Sequence, residues 1–384
     1  MKITGYRTLR TAHRWGRPVG DANGYIASGI TDVPVVIVET DAGIEGVGIG
    51  SHADLDRLFP ALEGRDPRAV STLYDAMLAR VFKSSHGGAT FGGVGTLDTA
   101  LWDIKAKAAG EPLWRLLGAG DRFVHGYASG LDVALSDEQL SALYQSFADR
   151  SFTAAKLKGG RNLEADLRRF AIVADLLSTP AGRPALMLDV NETWNLKHAV
   201  RYVSALEEQV DLTWVEEPLR RWDATGHARL SRAIRAAVAT GENLTGLEMY
   251  RPLLDAGGAD IVQAGAIWGI THLLRVAVAA HSRDLPVSPV GLSANPAVAA
   301  AAAAVPNHLS AEVQDLGVPV GLRLDQQIAD GGIVLGDQPG GGITVDETLI
   351  AAARQAGDWE EPAGPHVRPV RAGLRLVDTG QWGE

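Results

Sequence analysis

Three apolar runs in this chain end in acids. Leu186-Met187-Leu188 leads into Asp189-Val190-Asn191, Trp214-Val215 into Glu216-Glu217-Pro218, and Ala237-Val238-Ala239-Thr240-Gly241 into Glu242-Asn243. One acid at a strand end is ordinarily a turn or helix-cap residue, but here the pattern recurs about one strand-helix unit apart. If each run is a parallel strand, Asp189, Glu216 and Glu242 stand at the same end of neighbouring strands. Carboxylates that converge without a counter-ion repel and take up protons, whereas hard oxygen ligands on a rigid scaffold suit Mg2+. A fourth run, Ala155-Lys156-Leu157-Lys158-Gly159-Gly160, places two lysines on one side of a strand. Such a pair is usually a solvated edge. Beside a divalent cation the charged form is disfavoured, so the pKa of Lys158 is expected to fall from about 10.4 toward that of a working general base.

The elements that must position these groups follow a repeat. Apolar strands are predicted at 125–129, 154–158, 185–191, 212–217, 237–242, 260–264, 285–290 and 309–313, alternating with amphipathic stretches such as 162–177 and 196–208. That count, in roughly 200 residues, is that of a TIM barrel, whose chemistry sits at the carboxyl ends of its strands. Ahead of the repeat, residues 3–11, 33–40 and 45–50 read as an antiparallel sheet, with the glycine-rich, polar segment 14–31 as a mobile loop. A helix is predicted over 96–109, stopped by Gly110. Ile333-Val334-Leu335 and Gly340-Gly341-Gly342 suggest a return to the first domain, and the prolines from 362 onward a loose tail. The expected division is an N-terminal unit over 1–120, a barrel over 121–320 and a C-terminal return over 321–384.

Composition narrows the class. A net charge of −10 without a basic run argues against a nucleic-acid surface. The absence of cysteine removes thiol nucleophiles, thiolate metal sites and disulfides, which fits a reducing cytoplasm. No segment has the length and apolarity of a membrane span, so a cytoplasmic enzyme without nucleic-acid or membrane partners is expected.

Taken together, Lys156-Leu157-Lys158, Asp189-Val190-Asn191 with Trp194, Trp214-Val215-Glu216-Glu217-Pro218, Gly241-Glu242-Asn243 and Thr99-Ala100-Leu101-Trp102-Asp103-Ile104-Lys105-Ala106-Lys107 resemble the mandelate racemase/muconate lactonizing enzyme-like branch of the enolase superfamily. The resemblance spans almost the whole chain. It implies an α/β fold in which an α+β capping domain, built from the N-terminal part and a C-terminal return, closes over the mouth of a (β/α) barrel. It implies Asp189, Glu216 and Glu242 as Mg2+ ligands, with Glu217 beside them. It implies Lys158 as the base that removes the proton α to a carboxylate, Lys156 as its electrostatic partner, and a metal-stabilised enediolate. Glu312 matches an acid that in mandelate racemase hydrogen-bonds the substrate carboxylate. The loops over the site would be 14–31, carrying Asp21, Asn23 and Tyr25, and the turn at Ser51-His52, so Tyr25, His52, Asn191 and Gln263 are candidate substrate contacts. Related enzymes are commonly dimers or octamers, so a homo-oligomer is expected.

The departures bear on the reaction. Where mandelate racemase-like members carry an aspartate on the sixth strand and a histidine on the seventh, this chain has Gln263 and no histidine in Pro286-Val287-Ser288-Pro289-Val290-Gly291. Glutamine does not titrate, so a second base is missing. The leading expectation is dehydration of an acid sugar or related hydroxy acid. The alternatives are a racemase, epimerase or cycloisomerase of a carboxylate substrate, and a metal-binding homologue without catalysis.

Overall fold

The computed structural model describes residues 1–84, 86–291 and 295–356; the proline-bearing tail lies outside them. From residue 123 to residue 313 strands alternate with helices. The strands are β1 (Phe123–Ser129), β2 (Ala154–Lys158), β3 (Ala185–Asp189), β4 (Leu212–Glu216), β5 (Ala237–Thr240), β6 (Ile261–Gly265), β7 (Val287–Val290) and β8 (Ala311–Val313). Neighbours pair in parallel from β1 through β7, and β8 pairs in parallel with β1 over Gly126–Ala128. The approach to β8 closes on β7 through a Val287–His308 bridge, where Leu309 N–H donates to Val287 O at 2.8 Å. The sheet is a TIM barrel. Tyr127, Met187, Trp214, Ala239 and Ile261 form a separate buried layer inside it, with the Tyr127 and Trp214 rings edge-to-face at 5.2 Å.

Several strands end one or two residues short of their expected limits. The cause is local: Asn191, Glu192, Glu217 and Gly241 have φ of 45°, 62°, 43° and 125°, outside the extended region. Non-glycine residues in left-handed conformations are strained, and their gathering at strand ends marks a place where surrounding structure holds them.

Ahead of the barrel, Ile3–Arg14 pairs antiparallel with Ile30–Thr40, which pairs with Gly46–Ile49. The segment between the first two is not the unstructured loop that its glycines suggest. It contains a hairpin, Val19–Asp21 against Gly24–Ile26, which lies over the ends of β1 to β3. Gly20 N–H donates to Leu131 O at 2.9 Å, Asn23 Nδ2 to Asn191 O at 3.0 Å and Arg161 Nε to Ala22 O at 2.9 Å. Those partners come from barrel loops far along the chain, so local composition could not show them.

The helix expected over 96–109 begins earlier and runs Gly88–Ala109. Its glycines permit close approach: a Cβ at Gly95 would lie 2.5 Å from Ile267 O, in the loop after β6. Alanine there gains roughly 1 kcal/mol of helix propensity, but the obstructing atoms are backbone and cannot rotate aside. Gly95→Ala is therefore expected to lose about 1–3 kcal/mol of packing and to lower the urea midpoint. An unchanged midpoint would show that this helix can slide away from the barrel.

Beyond β8, Leu322–Leu324 pairs with Ile343–Val345, while Gly332–Leu335 lies antiparallel on the start of β1 rather than on the N-terminal sheet. The chain does reach the N-terminal part, through Gly340 O, which accepts from Leu113 N–H at 2.9 Å, and through Glu347, 3.0 Å from Arg7.

Candidate active site

Parallel register brings the chemistry together. Lys158 on β2 stands opposite Asp189 on β3, which stands opposite Glu216 on β4. Glu242 follows the end of β5, and Glu312 lies on β8 beside β1. All but the half-buried Glu242 are buried; Lys158 is 4% exposed and Lys156 0%. The alternation of β2 turns both ammoniums inward. Lys158 Nζ donates to Asp189 Oδ2, and Lys156 Nζ donates to Glu216 Oε1. Lys156 Nζ also lies 2.8 Å from Glu312 Oε1 and 3.5 Å from Asp189 Oδ2.

The acids are further tied by neutral donors. Glu216 Oε2 accepts from Gln263 Nε2 at 2.7 Å and from Trp214 Nε1 at 3.1 Å. Glu312 accepts from Ser129 Oγ at 2.7 Å and Gly291 N–H at 2.9 Å. Asn243 Nδ2 bridges Glu217 Oε1 at 2.9 Å and Glu242 Oε1 at 3.0 Å. Asp189 Oδ1 takes the Asn191 N–H at 2.9 Å.

Burial, with neighbouring negative charge, raises the pKa of Glu216 to about 8 and of Glu242 to about 7, and lifts that of Glu217 well above the carboxylate range. Asp189 goes the other way, to about 2, because Lys158 and Lys156 outweigh its burial. For the lysines, the facing carboxylates outweigh burial. Burial alone would lower Lys158, but the Asp189 carboxylate overrides it and the pKa rises; for Lys156, Glu216 and Glu312 do the same. The expectation of a depressed Lys158 assumed a cation among the acids. With the acids instead facing the ammoniums, each lysine is held in its charged form.

As they stand, no three acid or imidazole groups among the described residues are gathered closely enough to hold a metal ion. The donor chemistry nonetheless fits one. Asp189 and Glu216 are buried carboxylates and Glu242 a half-buried one at adjacent strand ends, two of the three too crowded to ionise easily, and the two ammoniums occupy the positive role among them.

The remaining candidates separate. Gln263 is inside the barrel, with Oε1 buried and without a partner. Asn191 holds the hairpin through its carbonyl, and its Oδ1 is also buried and unpartnered. Tyr25 sits on the hairpin, 44% exposed. His52 is on the opposite side of the mouth, where Nε2 donates to Val35 O at 3.0 Å, and it lines a cleft of about 870 Å3 between the N-terminal part and the loops after β4, β5 and β6.

Sequence reasoning missed the support beneath the lysines. Asp132, fully buried after β1, accepts from Lys158 N–H at 3.0 Å, Arg169 Nη2 at 2.7 Å and Tyr144 OH at 2.6 Å, while Arg169 Nη1 donates to Lys158 O at 2.7 Å. No local pattern marks Asp132. Asn243, by contrast, directly follows Glu242 and was within reach of the motif reading.

Comparison with known proteins agrees with this arrangement. Residues 139–349 match the family described as Enolase C-terminal domain-like, and residues 27–118 match Mandelate racemase / muconate lactonizing enzyme, N-terminal domain. A 3,6-anhydro-alpha-L-galactonate cycloisomerase from Streptomyces coelicolor is 30% identical over 304 residues, covering 78% of this chain and 82% of its own. An L-talarate/galactarate dehydratase from Salmonella typhimurium is 32% identical over 295 residues, covering 70% and 71%. The crystal structure of a racemase from Streptomyces coelicolor with bound magnesium superposes with a TM-score of 0.82 at 26% identity, covering 91% of this chain and 99% of that one.

Proposed function

The chain belongs to the mandelate racemase/muconate lactonizing enzyme branch of the enolase superfamily, as a lyase or an isomerase, and on that footing we propose that it removes the proton α to a carboxylate through Lys158 and dehydrates an acid sugar. The observation that carries this reading is the in-register row Lys158, Asp189, Glu216 across β2, β3 and β4, which sets a base against a carboxylate cluster. Asp189, Glu216 and Glu242 would hold Mg2+. When bound, the ion supplies Lewis-acid stabilisation of charge developing on the substrate carboxylate.

The chain's own groups do the rest. Lys158 is aimed by its ion pair with Asp189 and by the Asp132 and Arg169 contacts to its backbone; with Asp189 turned to the cation, its ammonium would give a proton to solvent and the neutral amine would accept the α-proton. Lys156 and Glu312 hold each other at 2.8 Å, which keeps a positive charge beside the base. Burial of both lysines excludes water from the proton transfer.

Incubating acid sugars with Mg2+ in deuterated water, and following 2-keto acid formation and α-deuterium incorporation, tests the reading. A dehydratase yields keto acid. Racemisation, epimerisation or cycloisomerisation is the second reading, favoured by the cycloisomerase relative, and would give isomers with no loss of water. Neither exchange nor product across the panel would point to a homologue without catalysis.

Stability provides an independent check on the ligands. Glu216 and Glu242, at about 8 and about 7, compare with about 4.3 in an unfolded chain. Without metal the folded state holds more protons than the unfolded state between these values, so this contribution to stability falls as pH rises through the window. Asp98, at about 7, has the same sign; His272 and His308, lowered to about 3 and about 4, have the opposite sign and act below about 6.5. Those three are common to both conditions, so the difference between Tm with and without Mg2+ reports the site. It should grow between about pH 6 and about pH 8 as the cation replaces protons. A flat difference would show that these acids do not bind the ion.

A further inference from the structure

The cleft of about 870 Å3 on the side of the mouth away from the lysines has a charge pattern that the proton chemistry does not require. Its lining includes Arg10, Arg221 and His52, and no acid stands among the described residues that line it, in a chain whose net charge is −10. Its volume suits a small organic ligand, for which pockets run about 300–1,000 Å3. Arg221 is held in place rather than left to wander. Its Nε donates to the buried Glu192 carboxylate at 2.5 Å and its Nη1 to Asn243 O at 3.3 Å, and the guanidinium carbon lies 5.4 Å from the ring centre of Trp222, an indole left 67% exposed. Glu192 is itself held at a φ of 62°, so the anchor is built into the strained end of β3. The Asn243 that receives Arg221 is the residue whose amide bridges Glu217 and Glu242. The cleft therefore adjoins the carboxylate cluster, with a pre-oriented cation one residue away from it.

We propose that this cleft is a second anion subsite, in which Arg221 receives the distal carboxylate of a polyhydroxylated dicarboxylic acid whose reacting carboxylate lies at the Asp189, Glu216 and Glu242 cluster. This rests on the reading of that cluster as the reaction centre and goes further by selecting sugar diacids over sugar monoacids. Tethering by Glu192 serves the purpose, because a guanidinium fixed before binding gives up less freedom when it meets a carboxylate. Its planar fork also suits a carboxylate better than a lysine would.

The test compares matched sugar diacids and monoacids, with phosphorylated monoacids as a third arm. The parent should show a lower KM for the diacid. Arg221→Gln should raise the diacid KM on the order of 10- to 100-fold, the range of a lost charge-assisted hydrogen bond, and the loss for the diacid should exceed that for the monoacid by about tenfold or more. Because Arg221→Gln removes the guanidinium from the buried Glu192 carboxylate, the double variant Arg221→Gln/Glu192→Gln serves as the folded control and should show the same selective loss, while Arg221→Lys should recover part of it. Equal losses for diacid and monoacid, or a parent that prefers the phosphorylated acid, would overturn the assignment. Calorimetric titration of the diacid into Lys158→Ala, with Mg2+ present, reads the subsite apart from turnover. Diacid binding that Arg221→Gln abolishes upholds it even if no substrate is turned over, and binding indifferent to Arg221 sinks it.

Discussion

Lys158→Ala is expected to abolish α-deuterium exchange and elimination alike, with a loss on the order of 10² to 10⁴ in rate, the usual contribution of a positioned base. Lys158 Nζ has one hydrogen-bonded anion, Asp189 Oδ2, and Asp189 keeps Lys156 at 3.5 Å when Lys158 is truncated. The variant should therefore stay folded and still bind Mg2+. Among the described residues, the opposite side of the barrel offers Gln263 and Val290, neither of which can carry a proton, so exchange should also be confined to one configuration at C2. Exchange of both C2 epimers at similar rates would reveal a second base and move the assignment from dehydratase to racemase or epimerase. Lys156→Ala makes a contrasting control. Lys156 neutralises Glu216 and Glu312 in a fully buried position, and removing one member of such a group leaves uncompensated charge at a cost of about 3–5 kcal/mol. Its loss of activity should come with a larger loss of stability than that of Lys158→Ala, which leaves Asp189 with Lys156 at 3.5 Å.

Asp189→Asn is expected to remove most of the stabilisation by Mg2+. A ligand bound only by the folded state adds about 2.7 kcal/mol at 100 times its Kd, so the parent should gain that increment at such a concentration and the variant should gain little. The increment is the quantity to read, rather than absolute stability. Asp189 also anchors Lys158 and accepts the Asn191 N–H, so the variant will differ from the parent before any metal is added. An unchanged increment would show that the cation, if bound, sits elsewhere.

The features legible in the sequence were those set by local periodicity. Strand alternation alone turns Lys156 and Lys158 to one side, and β2 spans the predicted Ala154–Lys158. The apolar run before each acid placed Asp189, Glu216 and Glu242 at neighbouring strand ends because a parallel repeat adds one strand per unit of chain. The barrel and its branch of the enolase superfamily followed from that spacing and from the quoted motifs.

Tertiary structure decided which charges meet. Ser129 reaches Glu312 across 183 residues and Lys156 reaches Glu216 across 60, contacts that exist only because β8 closes on β1 and because the strands share a register. The shared register of neighbouring strands sets Asp189 against Lys158, and that carboxylate, outweighing burial, raises the Lys158 pKa. Tertiary structure also converted a glycine-rich segment into a hairpin hydrogen-bonded to Leu131, Asn191 and Arg161. Asp132 became the support of Lys158, and Arg221 was drawn against Glu192. Periodicity carries information over a few residues; an ion pair between distant residues depends on how the whole barrel closes.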